Sequence, residues 1–98
     1  MKAFKNLFRV LLVAIVAASA AMPAMADPVS IVGFGDSLMA GYRLGPGLSF
    51  ADKLQTALKT DGYDVAVANA GVSGDTTSDG LARLDWSVPD GTDLVILE

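Results

Sequence analysis

The sequence predicts an α/β protein, a three-layer α/β/α arrangement with a parallel sheet and helices on both faces. Two observations carry this. Short apolar runs alternate with amphipathic segments in the order strand, helix, strand, helix, strand. The connections are long enough for the crossovers that parallel neighbours require.

The first strand is expected at Val29 to Phe34, where Val29, Ile31, Val32 and Phe34 put β-branched and apolar residues on both faces, as suits a strand covered on both sides. A glycine-rich loop from Gly41 to Gly47 follows, punctuated by Pro46. Ser49-Phe50-Ala51-Asp52 fits a capping box and starts a helix. Phe50, Leu54 and Leu58, backed by Ala51 and Ala57, recur at helical spacing with Asp52, Lys53, Gln55 and Lys59 off the stripe, and Gly62 ends the helix.

Val65 to Ala70 is short, apolar and bounded by turn residues, so it reads as the second strand. Thr76-Thr77-Ser78-Asp79 is a second capping box, opening a helix with a Leu81, Leu84, Val88 stripe that Pro89 and Asp90-Gly91 terminate. Leu94 to Leu97 is the third strand. With no internal repeat or linker, one domain accounts for the pattern.

Ahead of this lies a different kind of segment. Lys2, Lys5 and Arg9 precede an apolar run from Val10 to Ala21, then Pro23 and Ala24-Met25-Ala26. This is the layout of a secretory signal peptide spanning residues 1–26, cleaved before Asp27. The run is too short for a bilayer span of about 20 residues, so an exported protein, periplasmic or secreted, with no stable membrane anchor after cleavage is expected. The final apolar strand stops without a following element, so residues 27–98 read as the N-terminal part of a single longer domain.

Three of the seven basic residues belong to the leader, leaving four against eleven acidic ones. Such an acidic chain argues against nucleic acid as a partner, because phosphate binding draws on clustered Lys and Arg. There are no cysteines and no histidines, which excludes a disulfide framework and the usual ligands of a zinc site. No cofactor is expected.

The chemistry centres on Gly33-Phe34-Gly35-Asp36-Ser37-Leu38. A dinucleotide fingerprint would need glycine where Leu38 stands, and no Gly-Lys-Ser/Thr follows for a phosphate loop. The Gly-x-Ser-x-Gly elbow fails at Met39, and again at Asp75 in the second glycine-rich stretch; no Ser-x-x-Lys occurs. What remains is a serine just past a strand end, preceded by glycines that let the backbone turn sharply. That makes Ser37 a candidate nucleophile. An ordinary βα turn, with Asp36 and Ser37 capping backbone amides and Gly71 and Gly74 serving plain turn chemistry, is the competing reading.

The first stretch resembles the Gly-Asp-Ser-Leu signature of the SGNH, or GDSL, hydrolases, and Asn69-Ala70-Gly71-Val72-Ser73-Gly74-Asp75-Thr76-Thr77 resembles that family's second block. Leu38 to Arg43 and Gly80 to Leu84 are similar to the thioesterase I, lysophospholipase and arylesterase branch. The resemblance implies the flavodoxin-like SGNH fold, with only its first three strands and two helices present. It also implies a small acyl ester or thioester substrate.

By the same resemblance Ser37 is the nucleophile and Gly74 supplies an oxyanion-hole N–H, with Gly35, Asp36 and Asn69 in support. Asp36 would hold the turn rather than act as the triad carboxylate. The family's Gly-x-Asn-Asp and Asp-x-x-His blocks are not among these residues, so little or no turnover is expected from them alone. A carbohydrate acetylesterase of the same superfamily and a non-catalytic flavodoxin-like binding module are the other readings. Elsewhere, Trp86 reads as a packing anchor. Arg43 and Arg83 pair with carboxylates such as Asp36 or Asp75, or are solvated, and Met39 and Tyr42 border a groove or belong to the core.

Overall fold

The computed structural model describes residues 26–98, so all but the last residue of the expected leader lies outside the described residues. Three parallel strands, β1 (Val29–Gly35), β2 (Val65–Gly71) and β3 (Leu94–Leu97), form one sheet in the order β2-β1-β3. Three helices accompany them: α1 (Ser37–Ala40), α2 (Phe50–Thr60) and α3 (Thr77–Ser87). The chain thus steps from β1 to β2 on one side, then crosses back over to β3 on the other. The carboxyl end of the central strand is therefore the point at which strand order reverses, where open α/β sheets bind ligands.

Register places Val29 opposite Val65 and Gly35 opposite Gly71, while Ile31 faces Leu94 and Phe34 faces Leu97. Alternate residues of β1 face opposite layers. Gly33 and Gly35 lie beneath Met39 of α1, and Phe34 lies beneath Gly80 of α3. The expected three-layer arrangement is present, with Ile31, Val32, Phe34, Met39, Ala51 and Val65 as its buried apolar centre.

Both long helices begin where the sequence indicates. Ser49 caps α2, its hydroxyl accepting the Asp52 N–H at 3.1 Å and donating to the Asp52 carboxylate at 2.8 Å. Thr76 and Asp79 form the full reciprocal box on α3. Gly62, just past α2, has φ +92, a left-handed conformation that favours glycine.

The buried faces differ from the expected stripes. In α2 the contact with β2 runs through Ala51, which is buried, and through half-buried Leu54 and Leu58, while Phe50 and Ala57 are exposed. Gln55, counted as polar surface, turns inward so that its Oε1 accepts the Val67 N–H at 2.9 Å. The Gly71 N–H is likewise bound by the Asn69 side chain, also at 2.9 Å.

In α3 the sheet-facing strip is Gly80, Arg83 and Ser87, one helical row, so Leu81, Leu84 and Trp86 fall to its sides. Trp86 is 73% exposed and is not the packing anchor expected of it. The reason is local: the surface under α3 is the Phe34 ring and the strand-end carbonyls of β1 and β2. A glycine fits over the ring, and an arginine can donate to the carbonyls.

Candidate active site

Ser37 is the first residue of α1, reached by an abrupt turn at the end of β1, and it is half-buried. The four-residue helix was not foreseen from the sequence, and its capping explains it. The Asp36 carboxylate accepts the Leu38 N–H at 3.0 Å, and Gly41 closes the other end with φ +85 while its N–H donates to the Ser37 carbonyl at 3.2 Å. Asp36 thus binds its own turn.

Gly35 is buried at the last position of β1. A Cβ there would strike the Glu98 carboxylate and come within 3.1 Å of the Met39 Cβ. Close packing, rather than an unusual φ, is what keeps this position bare. The Glu98 carboxylate accepts the N–H groups of Asp36 at 3.1 Å and of Met39 at 3.3 Å, bracketing Ser37. Nothing in the sequence signalled that contact, because it joins residues some sixty positions apart across β1 and β3.

Asn69 lies in β2, opposite Gly33 in register. Its Nδ2 donates to the Ala40 carbonyl at 3.4 Å, joining α1 to β2. Gly74 is exposed on the loop between β2 and α3 with φ +88, and nothing lies within 4 Å of the place a Cβ would occupy. Here backbone conformation, not crowding, calls for glycine. Among the described residues neither the Ser37 N–H nor the Gly74 N–H has a hydrogen-bond acceptor.

Ser37 and Gly74 therefore stand on loops at the same edge of the sheet, after two strands paired directly with one another. Arg83 ties these loops together. Buried beneath α3, it bonds the Asp75 carboxylate at 2.5 Å, the Ala70 carbonyl at 2.9 Å, the Ser87 hydroxyl at 3.1 Å and the Gly35 carbonyl at 3.0 Å, with its guanidinium 4.3 Å from the Phe34 ring centroid. Of the two arginine alternatives, Arg83 takes Asp75 as partner. Arg43 is exposed over the Tyr42 ring. Met39 belongs to the core and Tyr42 is exposed.

Two clefts flank the Ser37 turn, and Ser37 lines neither. One of about 410 Å³ lies under α3, bounded by Phe34, Asp36, Leu81, Leu84 and Leu97; the other, about 300 Å³, is bounded by Leu38, Met39, Phe50 and Ile96. Both run along the apolar side chains of β3 and do not enclose a substrate around the serine hydroxyl.

The local chemistry is acidic but organised. Asp79, at the start of α3, has its carboxyl held below the ordinary value by the Thr76 N–H and then by the Thr76 hydroxyl. Among the described residues there is no cluster of three or more His, Cys, Asp or Glu side chains able to hold a metal ion.

Comparison with known proteins places the chain among relatives of one family. Residues 31–98 match the family described as GDSL-like Lipase/Acylhydrolase. The chain is 48% identical over 65 residues to an arylesterase of Vibrio mimicus, covering 65% of this chain and 32% of that protein. It is 46% identical over 50 residues to the esterase TesA of Pseudomonas aeruginosa, covering 51% of this chain and 25% of that one. The crystal structure of AlinE4, an SGNH-hydrolase family esterase, superposes with a TM-score of 0.68 at 46% identity, covering 76% of this chain and 41% of that one. A crystal structure of TesA gives a TM-score of 0.65 at 37% identity, covering 70% and 39% of the two chains. The chain thus spans about a third or less of the length of these curated relatives. With a family match across most of its length, the chain belongs to the GDSL, or SGNH, hydrolase family.

Proposed function

We propose that this chain is the nucleophile-bearing part of an exported serine hydrolase that cleaves carboxylic esters or thioesters through an acyl-serine intermediate. The observation that carries this is the placement of Ser37 at the reversal point of the sheet, half-buried at the start of α1, with the Gly74 N–H on the neighbouring strand's loop. The Ser37 Oγ attacks the acyl carbonyl and its proton passes to a base. The carbonyl oxygen gains the negative charge, held by the N–H groups of Ser37 and Gly74. Collapse of the adduct expels the alcohol or thiol, and water then releases the acid from Ser37. Removing one such donor costs about 2.7–4 kcal/mol in a well-studied protease.

Serine is a weak nucleophile until a neighbouring group takes its proton, and the 98 residues hold no histidine. In the family the base and a third oxyanion donor belong to the Asp-x-x-His and Gly-x-Asn-Asp blocks, so the complete site draws on residues outside this sequence. The names of the relatives point to aryl esters and related acyl esters as first substrates.

The test is hydrolysis of nitrophenyl esters by the intact exported protein, with the Ser37→Ala variant alongside and the mass of a fluorophosphonate adduct mapped by peptide. Loss of turnover in the variant and an adduct on Ser37 support the reading. Undiminished turnover by the variant, or an adduct on another serine, refutes it. An N-terminus other than Asp27 on the exported protein refutes the leader assignment.

A further inference from the structure

Taking the proposed roles of Ser37 and Gly74 as its basis, we propose that Arg83 is a positioning residue that sets the Gly74 N–H relative to Ser37. Gly74 sits inside a Val72–Asp75 turn closed by the Asp75 N–H on the Val72 carbonyl at 3.2 Å, and it makes no backbone hydrogen bond of its own among the described residues. It is exposed, left-handed at φ +88, and free of neighbours in the direction of a Cβ. The turn fixes its local conformation, so where its N–H points relative to Ser37 depends on the anchors that place the whole turn.

Those anchors converge on one atom. On one side, the Val72 N–H donates to the Gly35 carbonyl at 3.1 Å. On the other, the Asp75 carboxylate is bound by Arg83 Nε, and Arg83 Nη2 donates to the same Gly35 carbonyl at 3.0 Å. The result is a closed hydrogen-bonded ring running Gly35, Val72, Ser73, Gly74, Asp75, Arg83 and back to Gly35. Gly35 stands two residues before Ser37, so the ring joins the two loops at the root of the nucleophile turn.

The residue type matters. A guanidinium presents five N–H donors in a rigid plane. Arg83 uses that plane to reach Asp75, Ala70, Ser87 and Gly35 at once while lying over Phe34. A lysine would keep a positive charge for Asp75 but, as a point donor on a flexible stem, cannot hold the separated acceptors in fixed geometry. Its side chain is 9% exposed and that of Asp75 15%, so the pair is shielded from the screening that weakens surface ion pairs.

A residue that merely stabilised the fold would lower the melting temperature and leave the Gly74 amide where it is. The experiment separates the two roles. Arg83→Lys is made in the intact protein, together with Asp75→Leu, which removes the acceptor and so opens the same ring with a side chain of similar size should the lysine variant fail to fold. The amide signals of Gly74 and of α2 are followed by NMR, and kcat and KM are measured on a nitrophenyl ester. The expected result is a displaced Gly74 signal with α2 signals unmoved, and a fall in kcat of roughly 10- to 100-fold with KM changed by less than about threefold.

A Gly74 signal that stays in place overturns the proposal whatever the activity. A kcat held within about twofold of the parent, in a protein whose Ser37→Ala variant is dead, overturns it as well. Persisting turnover in Ser37→Ala refutes the nucleophile assignment instead, and the Gly74 signal alone then decides the role of Arg83.

Discussion

The backbone of Ala40, at the end of α1, runs directly against the bare Cα of Gly71, at the end of β2, so that a Cβ on Gly71 would come within 2.7 Å of the Ala40 Cα and closer still to its nitrogen. Both partners are main chain, so neither can swing aside. Gly71→Ala is expected to cost about 1–3 kcal/mol or more by overpacking. Gly45→Ala, where the nearest atom is a leucine methyl at 3.6 Å, should stay within about 0.5 kcal/mol of the parent. Urea denaturation of the two variants in parallel checks the contrast.

Gly74 is the opposite case, open space around a left-handed backbone. Branched side chains are penalised there by their own φ, whereas asparagine visits this region more readily. Gly74→Val should therefore destabilise by about 1–2 kcal/mol and Gly74→Asn by clearly less. Equal melting temperatures for the two variants would count against the assigned φ.

The acid sensitivity of α3 follows from Asp79. Its carboxyl titrates below the ordinary value in the folded chain because Thr76 donates to the ionised form. The contribution to stability is thus complete above the unfolded value of 3.8 and is lost as pH falls through the lower folded value. Asp79→Asn should flatten the stability profile across that acidic window and leave its slope near neutrality unchanged, as read by chemical denaturation at a series of pH values.

Residues 27–98 produced alone are expected to give little or no ester turnover and only slow phosphonylation at Ser37, since they contain no histidine to take the serine proton. They should also self-associate, because β3 leaves Leu94, Val95 and Leu97 exposed. Burst kinetics with a nitrophenyl ester and sedimentation of the purified segment test both points. A monomer with steady turnover contradicts them.

Much of the scaffold was legible in the residues. The three strands sit where the apolar runs are, and the caps at Ser49 and Thr76 form because hydroxyl and carboxylate residues three apart have one satisfying geometry at a helix start. The buried faces of the helices were less legible. Hydrophobic spacing selected Leu81 and Leu84, yet the sheet beneath α3 offered a ring and carbonyls, and Gly80 with Arg83 suited that surface. The short helix α1 was invisible to periodicity because four residues make barely one turn. The Glu98 contact was invisible because it depends on strand register, which brings distant residues together only once the sheet exists.

The side chains of Gln55 and Asn69 hold the outward N–H groups of Val67 and Gly71. Those are groups a neighbouring strand would otherwise use, so that flank of the sheet is partly occupied from within. The other flank, along β3, has no such occupant among the described residues. Assembly of this sheet is consequently biased: an added strand, from the same polypeptide or another, meets fewer occupied backbone groups beside β3 than beside β2.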